Sequence, residues 1–185
     1  MKRIYQIFGV FIFLFFLFPK LGFASGEFST DFDVTYEVKE SGITEVTNKI
    51  TLTNVFSNMY ATSYSIVLDS INPTNIKAYG LNSAYPTQII KDGNKTTIKI
   101  DFPDTVVGKD KSRTFYISFE ESSFAVRTGE VWEISIPRIS EESTFNSYYL
   151  RLLIPEKLGQ EAYISPVPRN KSNQNGFLTY SFNKT

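Results

Sequence analysis

Between Phe28 and Lys39 the side chains alternate without a break. Phe28, Thr30, Phe32, Val34, Tyr36 and Val38 fall on one set of positions and Ser29, Asp31, Asp33, Thr35, Glu37 and Lys39 on the other. Consecutive residues of a strand point to opposite faces, whereas a helix repeats every 3.6 residues. A period of two over more than ten residues therefore commits this segment to a half-buried strand with one wet face. After the Glu40-Ser41-Gly42 turn, "ITEVTNKITLTN" alternates again, with Ile50 and Leu52 set against Lys49, Thr51 and Thr53. Two alternating runs joined by a short glycine-containing loop predict a β-hairpin.

The same texture runs along the rest of the chain. Strand-like runs appear at 61–69, 76–80, 87–102, 105–121, 129–137, 146–155 and 176–185, and no amphipathic helix interrupts them. Asp92-Gly93-Asn94 carries residues suited to the positive φ of a tight turn, and Gly108-Lys109-Asp110-Lys111 reads as a second hairpin turn. Short strands spaced by turn residues predict an all-β fold, an antiparallel β-sandwich of immunoglobulin-like type. In "GEVWEISIPRIS" (129–140), Trp132, Ile134 and Ile136 share one face opposite Val131, Glu133 and Ser135. The reading makes these three structural core residues, with Trp132 a plug between two sheets and Pro137 ending the ladder.

The N-terminus reads as a signal helix. Lys2 and Arg3 precede an apolar run from Ile4 to Phe18, then Pro19, Lys20 and the small-residue exit Gly22-Phe23-Ala24. That is the order of a secretory signal peptide, and the apolar run is shorter than the ~20 residues of a permanent span. The expected organisation is a signal peptide at 1–24, a β-sandwich at 25–168, and at 169–185 a polar tract and terminal strand leading into a downstream domain. The chain is expected to be exported, to the extracellular space or the cell surface, with an uncleaved anchor at residues 4–18 as the alternative and only membrane contact.

The full chain has 19 cations and 19 acids. Three of the cations and none of the acids fall in residues 1–24, so the remainder carries a net charge of −3. Nucleic-acid binding needs clustered Lys and Arg on one face, and this scattered, mildly acidic pattern excludes it as a function class.

Histidine and cysteine are both absent. Nucleophilic Ser-His-Asp and Cys-His chemistry is closed without an imidazole, and so are the usual zinc sites. Asp31 and Asp33 would share a face as a paired-carboxylate site, against the simpler reading of a wet strand face. Neither Asp92-Gly93-Asn94 nor Asp101 with Asp104 has the spacing of a calcium loop. Gly108 to Ser112 lacks the upstream glycine of a phosphate loop and precedes a strand. Glu120-Glu121 and Glu141-Glu142 read as solvated acids, and the glycosylation-like triplets at Asn94, Asn170 and Asn183 carry no weight. No catalytic residue, metal ligand or cofactor is expected. The compositional excess is aromatic: Tyr60, Tyr64, Tyr148 and Tyr149, with Tyr79 and Tyr85, are candidates for a face that binds a cell-envelope glycan or a protein. Core filling competes with that reading.

Taken together, "TDFDVTYEVKESGITEVTNKITLTNVFSNMYATSYSIVL", the spacing to "VVGKDKSRTFYISFE", "GEVWEISIPRIS", "YLRLLIPEKLG" and "YISPVPR" resemble a known region. It is the N-terminal extracellular β-domain of bacterial transglutaminase-like proteins of the candidate-phylum, Microgenomates type. The resemblance implies a non-catalytic accessory domain ahead of a transglutaminase-like cysteine-hydrolase domain with a Cys, His and Asp triad. No triad residue transfers to any position here. Two functions follow as expectations: an accessory sandwich that positions a downstream domain of the same polypeptide, and a stand-alone exported binding module. A carboxylate-based glycosidase is the least supported.

Overall fold

The computed structural model describes residues 26–137 and 145–184. The signal helix, Arg138 to Ser140 and Glu141-Glu142 lie outside the described residues. Among the described residues, twelve strands and one 3-10 turn, Glu156–Leu158, make up the fold. The predicted first hairpin forms in full: β1 (Phe28–Val38) and β2 (Thr44–Asn54) pair along their whole length, from Phe28 opposite Asn54 to Val38 opposite Thr44. β3 (Ser63–Asp69), β4 (Thr74–Tyr79), β5 (Thr87–Asp92), β6 (Lys95–Asp101) and β7 (Ser112–Glu121) follow. β8 (Ala125–Thr128), β9 (Val131–Ile134), β10 (Ser147–Pro155), β11 (Asn170–Gln174) and β12 (Phe177–Lys184) complete the chain.

The result is the expected all-β sandwich, built from unequal layers. One sheet has seven strands in the order β11-β12-β10-β1-β2-β7-β4, a second has three in the order β3-β6-β5, and β8-β9 form a separate ribbon. The apolar positions of the alternating strands face inward: Val34, Tyr36 and Val38 from β1, Val46, Ile50 and Leu52 from β2, and Phe115, Ile117 and Phe119 from β7. They meet Ile98 and Ile100 of β6, and Tyr64 of β3 packs edge-on against Phe115 with ring centroids 5.2 Å apart. The layers are held by burial of this apolar surface at roughly 25 cal/mol per Å².

Four features depart from the sequence reading. β1 pairs with β10 in parallel, Asp31 opposite Ser147 to Glu37 opposite Leu153, within an otherwise antiparallel sheet. The turn at 108–111 joins no hairpin: it brings the chain from β6 in the small sheet to β7 in the large one. Asn54, itself buried, holds this crossover by donating from Nδ2 to the carbonyls of Val106 (2.8 Å) and Gly108 (3.0 Å). The boundary drawn at 168 does not separate two units, because β12 lies between β10 and β11 and buries Leu178 and Tyr180 in the common core. Finally, Trp132, Ile134 and Ile136 do share an inward face, but all three are half-buried and pack against the core's margin. Trp132 is not a plug between sheets; its ring lies over Gly42, at the end of the first hairpin, and β9 ends at Ile134 ahead of Pro137.

Candidate functional site

The outward face of the large sheet is where polar side chains converge. Period two places Asp31, Asp33 and Thr35 of β1 outward, and the registers set each beside partners from strands distant in sequence. Asp31 lies between Ser147 of β10 and Thr51 of β2, and Asp33 between Tyr149 and Lys49. Lys49 in turn faces Tyr116 of β7, which faces Tyr79 of β4. At about 4.8 Å per strand, the row from Tyr149 to Tyr116 spans about 14 Å.

An open groove of about 270 Å³ lies in this face, lined by Asp31, Phe32, Asp33, Lys49, Thr51, Ser147 and Tyr149. Asp31 accepts hydrogen bonds at Oδ1 from Ser147 Oγ (2.5 Å) and Asn146 Nδ2 (2.8 Å). Arg151 donates to Asp33 Oδ1 at 2.9 Å, and its guanidinium sits 5.8 Å from the Tyr149 ring centroid. The Tyr149 hydroxyl donates to Ser181 at 3.0 Å, fixing the ring, while Thr51 and Thr114 share a hydrogen bond at 2.9 Å. The second oxygen of each aspartate takes no hydrogen bond among the described residues, and Lys49 is exposed.

Each carboxylate is thus tied to a donor on one oxygen and open on the other. Such groups accept hydrogen bonds from hydroxyls or amines, a binding role, and no imidazole or thiol stands beside them to move a proton. No group of three metal-ligating carboxylates occurs among the described residues.

The four candidate tyrosines do not form one face. Tyr148 and Tyr149 are consecutive in β10 and point to opposite sides of the sheet. Tyr148 turns inward, 6.0 Å from the Phe32 ring and hydrogen-bonded to the Tyr36 hydroxyl; burial first, then Tyr36, pushes its ionisation upward. Burial likewise raises the Tyr36 hydroxyl to about 12, against the smaller opposing effect of the Tyr148 hydrogen bond. Tyr64 is a core ring, its hydroxyl pushed by burial to about 12. Tyr60 is exposed in the loop between β2 and β3. Of the further candidates, Tyr85 packs on Phe102 and caps Arg113, while Tyr79 stacks on Tyr116 at 5.1 Å. Only Tyr149 lines the groove.

Sequence reasoning missed Ser147, Arg151 and Tyr116 as neighbours of Asp31 and Asp33. The alternation of β2 had already put Lys49 and Thr51 on a wet face, but the parallel pairing of β1 with β10 joins residues more than a hundred positions apart. Nothing local signals it.

No protein-family model matches the chain, and no curated protein does. Among solved structures it is similar to a mutant of a two-domain M1 zinc metallopeptidase bound to L-tryptophan. The TM-score is 0.50 and the identity 14%, over 90% of this chain and 41% of that one. It is also similar to the M1 zinc metallopeptidase from Deinococcus radiodurans, with a TM-score of 0.45 and 13% identity over 84% of this chain and 38% of that one. The chain therefore spans about two fifths of the solved chains it matches.

Proposed function

We propose that this chain is a non-catalytic accessory β-sandwich of an exported protein, which braces or positions a hydrolytic domain carried by the same polypeptide. The observation that carries the reading is the fold likeness to part of a two-domain enzyme, in a chain that has neither histidine nor cysteine. The transglutaminase-like resemblance of the strand motifs supports the same architecture with a different catalytic partner. The leader-like sequence at 1–24 supports export.

The test is to read the coding DNA past the codon for Thr185. The reading expects the frame to continue into a catalytic set: a Cys, a His and an Asp for a transglutaminase-like partner, or His-Glu-x-x-His for a zinc metallopeptidase. A stop codon at that point overturns it.

A second reading, a binding module for a hydroxyl-rich cell-envelope glycan, is favoured by the groove that Tyr149, Asp31 and Asp33 line. Here the expected result is retention of the protein on isolated cell-wall glycan and its loss in the Tyr149→Ala variant. Retention unchanged in that variant would remove the groove from consideration.

A further inference from the structure

The two ends of the sandwich are built from different residues. At one end the turns are charged: Glu40 lies between β1 and β2, Asp92 and Lys95 flank the β5-β6 turn, and Glu156 and Lys157 follow β10. At the other end, loops 55–62 and 80–86, which join β2 to β3 and β4 to β5, contain no charged residue, in a chain of which 21% is charged. They carry Phe56, Met59, Tyr60 and Leu81 instead. Phe56 and Tyr60 are 44% and 46% exposed, Leu81 is 81% exposed, and Val107 of the neighbouring loop 102–111 is 53% exposed. Other exposed apolar residues sit among charges: Val126 and Val131 with Glu130 and Glu133 on the β8-β9 ribbon, Ile89 and Ile90 beside Lys91 and Asp92, Tyr163 and Val167 between Glu161 and Arg169. Absence of charge together with aromatic and methionine side chains is the composition of the centre of a protein interface.

These loops are held in shape from beneath. Arg113 of β7, whose side chain is 7% exposed, donates to Asp104 Oδ1 at 3.0 Å, to the Asp104 carbonyl at 2.7 Å and to the Tyr85 hydroxyl at 3.4 Å, with its guanidinium 4.4 Å from the Phe102 ring centroid. It thereby joins loop 102–111 to loop 80–86. Asn54, through the two carbonyls described above, joins loop 102–111 to the end of β2, where loop 55–62 begins. At the other end of that loop the Thr62 carbonyl accepts from Phe102 N–H at 2.9 Å. Two buried polar side chains thus fix the same three loops, and a surface fixed before binding loses less entropy when it binds.

We propose, resting on the accessory-domain reading above, that this end is the surface on which the next domain of the same polypeptide docks. Its composition is that of a protein contact. The cations in the sequence of the three loops, Lys109 and Lys111, flank Asp110 and fall short of the basic cluster that draws a protein to anionic lipid. β12 runs toward the same end. Lys184 stands in the row of Tyr148, Phe32 and Ile50, about 14 Å across the sheet from β2 and about 13 Å short of Asn54 along it. Roughly six extended residues cover that distance. A domain tethered so near meets the surface at high effective concentration, so a contact of modest area holds it.

Hydroxyl-radical footprinting of the whole polypeptide that the gene encodes tests this within one molecule, each side chain normalised to its reactivity in the urea-unfolded state. Phe56 and Tyr60 are expected to react several-fold less than Tyr149, which is 38% exposed on the outward face of the large sheet, while Tyr163 stays reactive. Phe56→Lys combined with Leu81→Lys, both at exposed positions, is expected to restore the reactivity of Tyr60 and to split one calorimetric transition of the polypeptide into two. If the reading frame stops after Thr185, the accessory-domain reading and this surface fall together. If it continues and Phe56 and Tyr60 react as Tyr149 does, the docking surface alone is overturned. Protection of Phe56 and Tyr60 that appears only on adding phosphatidylglycerol vesicles also overturns it, and assigns the end to a membrane.

Discussion

Single residues decide how the ends of the sandwich close. Gly42 has φ +90°, and a Cβ there would stand 2.9 Å from a Trp132 ring carbon and 3.0 Å from the Ala125 carbonyl. Both the backbone and the space exclude a side chain, so Gly42→Ala is expected to destabilise the fold by about 1–3 kcal/mol. Urea denaturation should read the loss, with the native Trp132 emission shifting to the red as its cover is pushed aside. Glu161 holds the loop after the 3-10 turn: Lys171 binds its Oε1, and the Tyr180 hydroxyl donates to Oε2 at 2.6 Å. These partners, Lys171 first, lower its carboxyl from 4.5 to about 2. A carboxyl lowered on folding stabilises the fold above its unfolded value and loses that contribution as pH falls through the folded one. Denaturation midpoints should therefore drop between pH 4.5 and about 2, and Glu161→Gln should flatten this part of the profile. The role of Trp132 shows what residue-level reading misses: alternation gave its face correctly, but its depth depends on which glycine packs beneath it.

At the scale of elements, legibility follows how local the cause is. β1, β2, β5, β6, β7 and β10 announce themselves by alternation or by turn residues within reach. β8 is a four-residue strand, too short for a period to show. β11, Asn-Lys-Ser-Asn-Gln, reads as a linker because an edge strand with both sides wet needs no apolar residues. Its signal was the turn: Asn175 and Gly176 have φ of 54° and 78°, and Asn-Gly between two runs marks a tight hairpin. That hairpin belongs to the sandwich, with Leu178 and Tyr180 in the core. A chain truncated after residue 168 is thus expected to lose its cooperative thermal transition, as followed by circular dichroism. A truncated protein that melts as sharply as the full chain would make the hairpin dispensable. The outward groove was half legible for the same reason: β1 and β2 supplied its wet face, and only the return of β10 supplied Ser147, Tyr149 and Arg151.

The sandwich is closed by strands far apart in the sequence. The large sheet seats β10 directly beside β1, the first strand, and β12 beside β10, so that Asp31 meets Ser147 and Tyr148 meets Lys184. This arrangement has a temporal side. The β1-β2 hairpin can form as soon as residue 54 is free, yet it keeps one long edge open until the last quarter of the chain arrives. A chain made N-terminus first must hold that edge unpaired for most of its synthesis, and the loop-closure entropy of the parallel ladder falls due only at the end. Contact order this high places refolding in the millisecond-to-second range. A stopped-flow refolding rate in microseconds would contradict it. Until β10, β11 and β12 have emerged, β1 keeps one edge without its partner and the large sheet lacks three of its seven strands.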